Sequence, residues 1–328
     1  MRFRLKIESR SWPLREPFVI SRGVEHEFNT IQVTLWDNQG HLGRGEVCPV
    51  NYAGETIAGI ASDLEHVRIE IEAGITRRDL LEILPAGGAR CAVDAALWDL
   101  EAKSSARSAF SLAGVEHPRS VSTVYTIGIR PIEDYERAAR SKADYSLLKV
   151  KVNTDDPIAA IEAVRRGAPC PALVVDPNQA WDLAALKALA PRLAELGVVL
   201  LEQPIAVGSE AVLDGYRCPI RLCADELINS ECDLTRAKNR FDVINIKLEK
   251  AGGLTAALNL ADAAQRAGFG LMVGTMGGSS LGMAPAVILA QRCEFVDLDG
   301  PLLQLSDWSD GLVYKNGVIE VPQASFWG

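Results

Sequence analysis

The chain has 328 residues, 48% of them hydrophobic, so it can bury a large core as two domains or as one large α/β domain. Its formal charge of -9 comes from 43 acidic and 34 basic residues, and no run of Lys and Arg would follow a phosphate backbone, so we expect no nucleic-acid partner. No segment approaches the length of a membrane span, the amino terminus lacks the apolar core of a secretion signal, and seven cysteines form no C-x-x-C pair. These features predict a cytoplasmic protein without a membrane partner, a disulfide framework or a zinc ribbon.

Histidine is confined to the first 117 residues, at His26, His41, His66 and His117. The rest of the chain therefore offers no imidazole as a base, a nucleophile partner or a metal ligand. Chemistry located in the carboxy-terminal two thirds has to use Lys, Asp and Glu.

The first 115 residues have the pattern of a small α+β domain. Antiparallel strands are predicted at residues 5–8, 30–36 and 43–47, and the segment 18–28, with Ser21, Arg22 and Gly23, is predicted to be a loop. Apolar spacing then predicts one helix over residues 57–71 and another over 89–112, which ends near Gly114.

From residue 121 the pattern becomes a repeat of about 25 residues, in which a short β-branched run precedes an alanine-rich helical stretch. Strands are predicted at residues 121–127, 147–152, 172–176, 198–202, 220–225, 243–247, 270–274 and 295–299, with no room for a full helix after the last. Eight such strands match a closed parallel barrel, whose functional face lies at the carboxyl ends of the strands. A doubly wound open sheet is the alternative, but residues 128–130 are not the glycine-rich turn that such a sheet carries after its first strand.

Six of the eight predicted strands end in a charged residue. In chain order these residues are Lys149 and Lys151, Asp176, Glu202, Asp225, Lys247, and the pair Asp297 and Asp299. Taken singly, Asp176 or Asp225 has the alternative of capping the next helix, and Glu202 that of a solvated loop residue. Three carboxylates that end three consecutive strands would repel each other unless a cation lay between them, which predicts a divalent metal. Oxygen-only ligands favour Mg²⁺ over Zn²⁺.

The lysines have a geometric role in the same barrel. Lys149 and Lys151 are two residues apart and share one face of the second strand, while the sixth strand, which carries Lys247, lies opposite. Lys151 and Lys247 therefore face each other across the mouth, a geometry that suits removal and return of a proton next to a carboxylate. The alternatives are salt bridges, from Lys247 to Asp225 or Glu249 and from Lys149 to Asp176, and the charge of Lys149 would also lower the pKa of Lys151.

In order and spacing these residues resemble the enolase superfamily and, within it, the muconate-lactonising subgroup. The motifs are Lys149-x-Lys151, Asp176-Pro-Asn, Glu202-Gln-Pro, the Asp225-Glu226 pair, Lys247 in Asn-Ile-Lys, and Gly45-Glu46, Pro49, Tyr52 and Gly54-Glu55. The resemblance implies an α/β fold with an α+β capping domain over residues 1–117, a modified TIM barrel, (β/α)7β, over 118–304, and a segment 305–328 that returns to the cap. It also implies Mg²⁺ on the three carboxylates, Lys151 and Lys247 as the acid/base pair, and two cap loops, around Arg22 and Tyr52, that close over the site.

The distinctive feature for substrate choice is the pair Asp297 and Asp299. Alone they would indicate a loop turn, but within this resemblance they are similar to the Asp-x-Asp with which dipeptide epimerases hold the α-ammonium group of the substrate. An acidic N-acyl substrate would be repelled by them. Arg22 is a candidate partner for a substrate carboxylate, with a solvated loop cation as the alternative, and the resemblance places Thr126 near the substrate.

The seventh loop, residues 275–280, provides the remaining substrate-side candidate, Met276. Many relatives carry an acidic residue in this loop, whereas here two glycines predict a more open and flexible wall. The resemblance therefore does not imply a narrow preference for L-Ala-D/L-Glu in this chain.

Together these observations predict a homo-oligomeric, Mg²⁺-dependent dipeptide epimerase that inverts the α-carbon of the carboxy-terminal residue, with L-Ala-D/L-Glu as a plausible substrate from peptidoglycan recycling. The alternatives on the same scaffold are N-acylamino acid racemase, o-succinylbenzoate synthase and muconate cycloisomerase. Two other classes are a Schiff-base aldolase that uses Lys149 or Lys151 and a barrel that binds dipeptides without catalysis.

Overall fold

The computed structural model describes residues 2–21 and 23–328. The chain begins with an antiparallel sheet of three strands, β1 (Phe3–Ile20), β2 (Gly23–Asp37) and β3 (Leu42–Val47), in the order β1-β2-β3. The first two strands pair along almost their whole length, from Phe3 opposite Asp37 to Ile20 opposite Gly23. The predicted loop over residues 18–28 is therefore wrong, since β-branched and aromatic residues continue the strands on both sides of the turn.

Five helices follow in the cap. They are α1 (Ile57–His66), α2 (Arg68–Gly74), α3 (Arg77–Ile83), α4 (Gly88–Ser105) and α5 (Ala109–Leu112). Each of the two predicted helices is divided: Val67 separates α1 from α2, and Ala106, in a left-handed conformation with φ of 53°, ends α4. α4 packs closely against β3, because a Cβ atom built on Gly45 would lie 2.1 Å from the carbonyl oxygen of Ala92.

The second sheet has eight parallel strands in sequential order. The strands are β5 (Tyr125–Ile127), β6 (Leu147–Lys151), β7 (Ala172–Asp176), β8 (Val198–Glu202), β9 (Arg221–Ala224), β10 (Val243–Lys247), β11 (Gly270–Gly274) and β12 (Phe295–Val296). The two edges meet, because the backbone N–H of Val124, just before β5, donates to the carbonyl of Val296 at 2.9 Å. The sheet is thus closed into the predicted barrel.

Helices cover the outside of most of the barrel. They are α6 (Ile132–Arg140), α7 (Pro157–Gly167), α8 (Leu183–Glu195), α9 (Leu234–Ala237), α10 (Leu248–Ala251), α11 (Leu254–Arg266), α12 (Ser280–Ala290) and α13 (Gly300–Leu303). The regular strand–helix repeat fails after β8, where the connection has only a 3₁₀ turn at Glu210–Leu213, and after β9, where α9 has four residues. Pro204, Gly208 and Gly215 explain the first exception, since they disfavour a continuous helix. As predicted, only a short helix follows the eighth strand.

The predicted first barrel strand, residues 121–127, is two strands. Its first part, β4 (Val121–Ser122), lies outside the barrel and pairs with the carboxy-terminal hairpin formed by β13 (Tyr314–Lys315) and β14 (Val318–Ile319). The end of the chain then returns to the cap, where the backbone N–H of Gly328 donates to Asp99 Oδ1 at 2.7 Å. In the described part of the chain, we find no helix with the length and apolar character needed to cross a membrane.

Candidate active site

The inward side chains of the barrel form two layers, because alternate residues of a strand point the same way. The lower layer is an apolar cluster of Val174, Leu200, Cys223, Val243 and Met272. The upper layer, here called the barrel mouth, begins two residues further along β7, β8 and β9 and is charged. It consists of Lys149, Lys151, Asp176, Glu202, Asp225 and Lys247, each 8% exposed or less.

On one side of the mouth the two lysines of β6 share the carboxylates of the next strands. Lys149 Nζ lies 3.2 Å from Asp176 Oδ2 and 2.8 Å from Glu202 Oε2. Lys151 Nζ lies 2.5 Å from the same oxygen of Asp176 and 3.1 Å from Asn178 Oδ1. The alternative salt bridge between Lys149 and Asp176 is therefore present, together with a second one to Glu202.

On the opposite side Asp225 stands between two lysines. Lys247 Nζ lies 2.8 Å from Asp225 Oδ2, and Lys250 Nζ lies 2.7 Å from Asp225 Oδ1. Of the two salt bridges considered for Lys247, the structure has the one to Asp225. Lys250 was not predicted as a site residue, although its position three residues after Lys247, within the short helix α10, is a usable signal.

The pKa values reflect burial opposed by these contacts. Burial would raise the pKa of Asp225, but Lys247 and Lys250 hold it well below its usual range, and Lys151 and Lys149 likewise lower that of Asp176. For Glu202, burial outweighs the opposing charge of Lys149, and the nearby Asp176 adds to it, so the pKa is raised to about 8. A carboxylate that remains this hard to ionise marks a place where further positive charge would be stabilising.

Burial would lower the pKa values of the lysines, but the surrounding carboxylates reverse this. The pKa of Lys149 is raised well above its usual value by Asp297, Glu202 and Asp176, and that of Lys247 is raised chiefly by Asp225. Among residues 2–21 and 23–328, no three Asp, Glu, His or Cys side chains form a ready-made metal site. The ammonium group of Lys149 contacts both Asp176 and Glu202, so a cation bound by these two carboxylates would compete with it for their oxygens.

The pair Asp297 and Asp299 follows β12 on the same rim. Asp297 Oδ2 accepts from Lys149 Nζ at 2.7 Å, and Asp299 Oδ2 accepts from the backbone N–H of Thr126 at 2.5 Å. Burial and repulsion by Asp297 raise the pKa of Asp299 to about 7. The structure thus places Asp297 against Lys149 of the mouth and Asp299 against the backbone of Thr126.

Two cavities lie above the mouth. The inner cavity, of about 70 Å³, is lined by the three lysines on β6 and β10, by Thr126, Asp297 and Asp299, and by Phe18, Phe28 and Met276. The cap cavity, of about 540 Å³, shares Phe18, Phe28 and Met276 with it and extends over the cap. Tyr52 lines the cap cavity, and Arg22 lies outside the residues that the structure describes.

The seventh loop is held at both ends. Glu249 Oε1 accepts from the hydroxyl of Thr275 at 2.8 Å and from the backbone N–H of Met276 at 2.9 Å, and Glu46 Oε1 of the cap accepts from the N–H of Ser279 at 2.7 Å. Gly277, with φ of 118°, packs so closely on the cap that a Cβ atom there would lie 2.8 Å from the ring of Phe28. The expected open and flexible wall is therefore not what the structure has, since two buried carboxylates from outside the loop fix it.

Two amide side chains support the ligand strands. Gln203, fully buried, accepts from the backbone N–H groups of Asp225 at 2.9 Å and Leu227 at 3.2 Å, and so ties the end of β8 to the residues after β9. The side-chain amide of Asn178 donates to Asp176 Oδ2 and to Glu226 Oε1, each at 3.3 Å, and its backbone N–H donates to Asp176 Oδ1 at 2.8 Å. The motifs around Asp176 and Glu202 contain both residues, but only the three-dimensional contacts reveal that Gln203 supports Asp225.

Comparisons with known proteins agree with this geometry. A family model described as Mandelate racemase / muconate lactonizing enzyme, N-terminal domain, matches residues 2–114, and one described as Enolase C-terminal domain-like matches residues 133–325. The chain is 37% identical over 319 residues to an L-Ala-D/L-Glu epimerase of Escherichia coli K12, a match that covers 97% of this chain and 99% of the relative. It is 41% identical over 252 residues to an N-acetyl-D-glutamate racemase of a Pseudoalteromonas species, over 76% and 79% of the two chains.

Solved structures give the same result. An enolase family member from Agrobacterium tumefaciens with homology to dipeptide epimerases, crystallised with sodium and L-Ala-L-Glu, superposes with a TM-score of 0.97 at 38% identity, over 99% of this chain and 100% of that one. A dipeptide epimerase from Methylococcus capsulatus, in complex with Mg and L-Arg-D-Lys, superposes with a TM-score of 0.91 at 30% identity, over 98% and 97%. With both family models matched and relatives aligned along almost its whole length, this chain belongs to the enolase superfamily, in the mandelate racemase and muconate lactonizing enzyme group.

Proposed function

We propose that this chain is a Mg²⁺-dependent dipeptide epimerase that inverts the α-carbon of the carboxy-terminal residue of a dipeptide. In this proposal residues 1–117 form the cap, residues 118–304 the catalytic barrel, and residues 305–328 a segment that connects the two. The observation that carries it is the inner cavity, which has Lys151 and Lys247 on its wall together with the two carboxylates Asp297 and Asp299.

The residues of the mouth fit a hard divalent cation. Asp176, Glu202 and Asp225 offer only oxygen ligands, lie at or directly after the ends of adjacent strands, and are at most 1% exposed. The raised pKa of Glu202 supports the fit, because burial disfavours its ionised form more than Lys149, at 2.8 Å, favours it. When bound there, the cation would stabilise negative charge on a substrate carboxylate and compete with the lysines for the aspartate oxygens.

The two lysines divide the proton transfers. β6 and β10 are the second and sixth strands of an eight-stranded barrel, so Lys151 and Lys247 approach a substrate in the inner cavity from opposite faces. One lysine removes the α-proton and the other delivers a proton to the opposite face, which inverts the carbon. Each lysine therefore acts as the base for one epimer and as the acid for the other.

Asp297 and Asp299 recognise the free α-ammonium group of the dipeptide. Asp299 is suited to this task because its carboxyl, with a pKa raised to about 7 by burial and by Asp297, gains stability from an added cation. The small volume of the inner cavity favours a small amino-terminal residue. Tyr52 and Met276 line the cap cavity, on the side where the carboxy-terminal side chain extends, and Arg22 is the proposed partner of an acidic one.

A racemase for N-acylated amino acids is the second candidate, and the relative named N-acetyl-D-glutamate racemase specifically favours it. An N-acetyl group carries no positive charge, so it would add no cation to the pair, and Asp299 would have only Thr126, through its backbone N–H, as a hydrogen-bond donor among the described residues. Burying carboxylates against a neutral amide is unfavourable, which places this candidate behind the dipeptide.

The test is deuterium exchange in D₂O with Mg²⁺, read by mass spectrometry, on a panel of L,L-dipeptides and N-acetyl amino acids. We expect mass gain and epimerisation for dipeptides with a small first residue, and loss of both after chelation with EDTA. Exchange restricted to N-acetyl amino acids would establish the second candidate. Metal binding measured by calorimetry without exchange of any compound would leave a binding protein and contradict the proposal.

A further inference from the structure

The residue between the two carboxylates is held from behind the cavity. Leu298 is fully buried, its backbone carbonyl accepts a hydrogen bond from the hydroxyl of Tyr314 at 2.8 Å, and its backbone N–H donates to Thr123 Oγ1 at 3.0 Å. Both polar groups of this residue are therefore satisfied by side chains. Neither Tyr314 nor Thr123 lines the inner cavity.

The two side chains come from different parts of the chain. Tyr314 is on β13 of the carboxy-terminal hairpin, and Thr123 lies between β4 and β5, where it is 1% exposed. Thr123 also donates through its hydroxyl to the carbonyl of Val296 at 3.3 Å and through its backbone N–H to the carbonyl of Gly317 at 2.7 Å. The hairpin, the start of the barrel and the end of β12 thus form one connected hydrogen-bonded unit.

Rotation of the backbone at Leu298 would move both flanking carboxylates at once. On the cavity side Asp299 is oriented by the N–H of Thr126 and Asp297 by Lys149, so the support behind Leu298 completes their fixation. We infer that Tyr314 and Thr123 are positioning residues for recognition of the substrate ammonium group, which they serve by fixing Leu298 so that Asp297 and Asp299 both face the inner cavity. This inference rests on the proposed function.

Tyr314→Phe is the direct test, because it removes one hydroxyl and leaves the ring. Loss of a hydrogen bond of this kind corresponds to about a fivefold change, which we expect in the KM for a dipeptide, with kcat within about twofold of the wild type. The preference for a dipeptide over its N-acetylated form should fall by a similar factor, since only the free amine uses the two carboxylates. Tyr145→Phe is the matched control: Tyr145 packs edge-on against Tyr125 at 5.7 Å, but its hydroxyl makes no hydrogen bond among the described residues.

Thr123 provides an independent variant. Thr123→Val keeps the shape but leaves the buried N–H of Leu298 without an acceptor, and it should raise KM at least as much as Tyr314→Phe. Thr123→Ser retains the hydroxyl and should restore the wild-type KM. Kinetics measured well below the melting temperature of each variant separate positioning from a general loss of stability, and a valine variant with the KM of the serine variant would contradict the inference.

A double-mutant cycle with Asp299→Asn closes the test. If Tyr314 acts through the two carboxylates, Tyr314→Phe should change KM by clearly less than about fivefold once Asp299 has been replaced, because Asp297 is then the only charged residue of the pair left to position. Additive effects, or a Tyr314→Phe variant that matches Tyr145→Phe while the wild type epimerises dipeptides, would overturn this inference alone. A wild type that exchanges no dipeptide would overturn the proposed function and this inference with it.

Discussion

The inner cavity has two sides that differ in how their residues are held. On the barrel side, Lys149 alone contacts three carboxylates within 3.2 Å, and every charged side chain of the mouth is almost fully buried. On the cap side, the wall is made of Phe18, Phe28 and Met276 and opens into a cavity of about 540 Å³. The barrel side is built to keep charges at fixed distances, whereas the cap side offers apolar surface and space.

This difference separates chemistry from substrate choice. A network of buried ion pairs tolerates little change, since removal of one partner leaves an uncompensated charge in a region of low dielectric. An apolar wall with adjacent space tolerates exchange of side chains at small cost. Substitutions on the two sides should therefore differ both in the size of their effect and in the kinetic parameter that they change.

The largest effect is expected for Lys151→Met and Lys247→Met. Each variant should lose epimerisation by at least about a thousandfold, because one of the two proton transfers has no donor or acceptor. The remaining lysine still reaches one face, so each variant should exchange the α-proton of only one epimer, and the two variants should prefer opposite epimers. Deuterium exchange with separate L,L and L,D dipeptides measures this, and full epimerisation by either variant would contradict the two-base assignment.

A smaller effect on the kinetics is expected for Thr275→Val, which removes a contact between the barrel and the seventh loop. Thr275→Val removes a hydroxyl that donates to Glu249 Oε1 and accepts from the N–H of Gly277 at 3.0 Å, so Met276 should lose its fixed position. We expect KM to rise about five- to tenfold with little change in kcat, as befits one or two lost hydrogen bonds. Thr275→Ser keeps the hydroxyl and should behave as the wild type. Steady-state kinetics of both variants test whether the loop is fixed. Equal KM values for the valine and serine variants would contradict a role for the hydroxyl in fixing it.

The contact between cap and barrel should be visible in the pH dependence of stability. Asp94 of α4 accepts from the hydroxyl of Thr255 at 2.5 Å and from its N–H at 3.0 Å, yet burial outweighs these donors and raises its pKa to about 6. The folded chain therefore binds this proton more tightly than the unfolded chain, whose Asp pKa is near 3.8. The resulting stabilisation is complete below about pH 3.8 and disappears as the pH rises through 6.

Denaturant unfolding at two pH values isolates this contribution. Between pH 5 and pH 7 the free energy of unfolding of the wild type should fall by about 1 kcal/mol more than that of Asp94→Asn, in which the carboxamide does not titrate. Comparison with the variant is required because other buried carboxyls, such as Glu202 and Asp299, also have raised pKa values. Equal pH slopes for the two proteins would show that Asp94 is ionised in the folded chain throughout this range.

Prediction from the sequence was most successful for strands that have both an alternating apolar pattern and charged residues at their carboxyl ends. The inward charges at positions 149, 151, 176, 202, 225 and 247 follow from period-two alternation and strand order, and the structure gathers them in one mouth. The family and the barrel are confirmed by the comparisons and by the closed sheet. The dipeptide activity has the support of the relatives, while the oligomeric state and the cytoplasmic location stay predictions.

The misses are contacts between segments that are distant in the chain. The sequence of residues 18–28 does not show that β1 and β2 continue as a hairpin over the barrel, because Ser21 and Gly23 are residues typical of a longer loop. The sequence at Val121 and Ser122 does not distinguish them from the barrel strand that follows. Only their pairing with the carboxy-terminal hairpin places them outside the barrel. Glu249 and Glu46 fix the seventh loop from two other elements, so its glycines alone gave the wrong expectation of an open wall.

The smallest effect is expected on the cap side, for Phe18→Leu. Phe18 lines both cavities and packs against the apolar cluster of Trp12, Leu14 and Phe28, and leucine keeps most of its volume while it enlarges the passage between the cavities. We expect KM to change by about two- to threefold, in opposite directions for dipeptides with small and large second residues, and kcat to stay constant because no charge in the mouth is altered. Kinetics with L-Ala-L-Ala and L-Ala-L-Phe provide the measurement. A fall in kcat beyond tenfold for both dipeptides would mean that the cap also orients the reacting groups, and the division between a catalytic barrel side and a selective cap side would have to be abandoned.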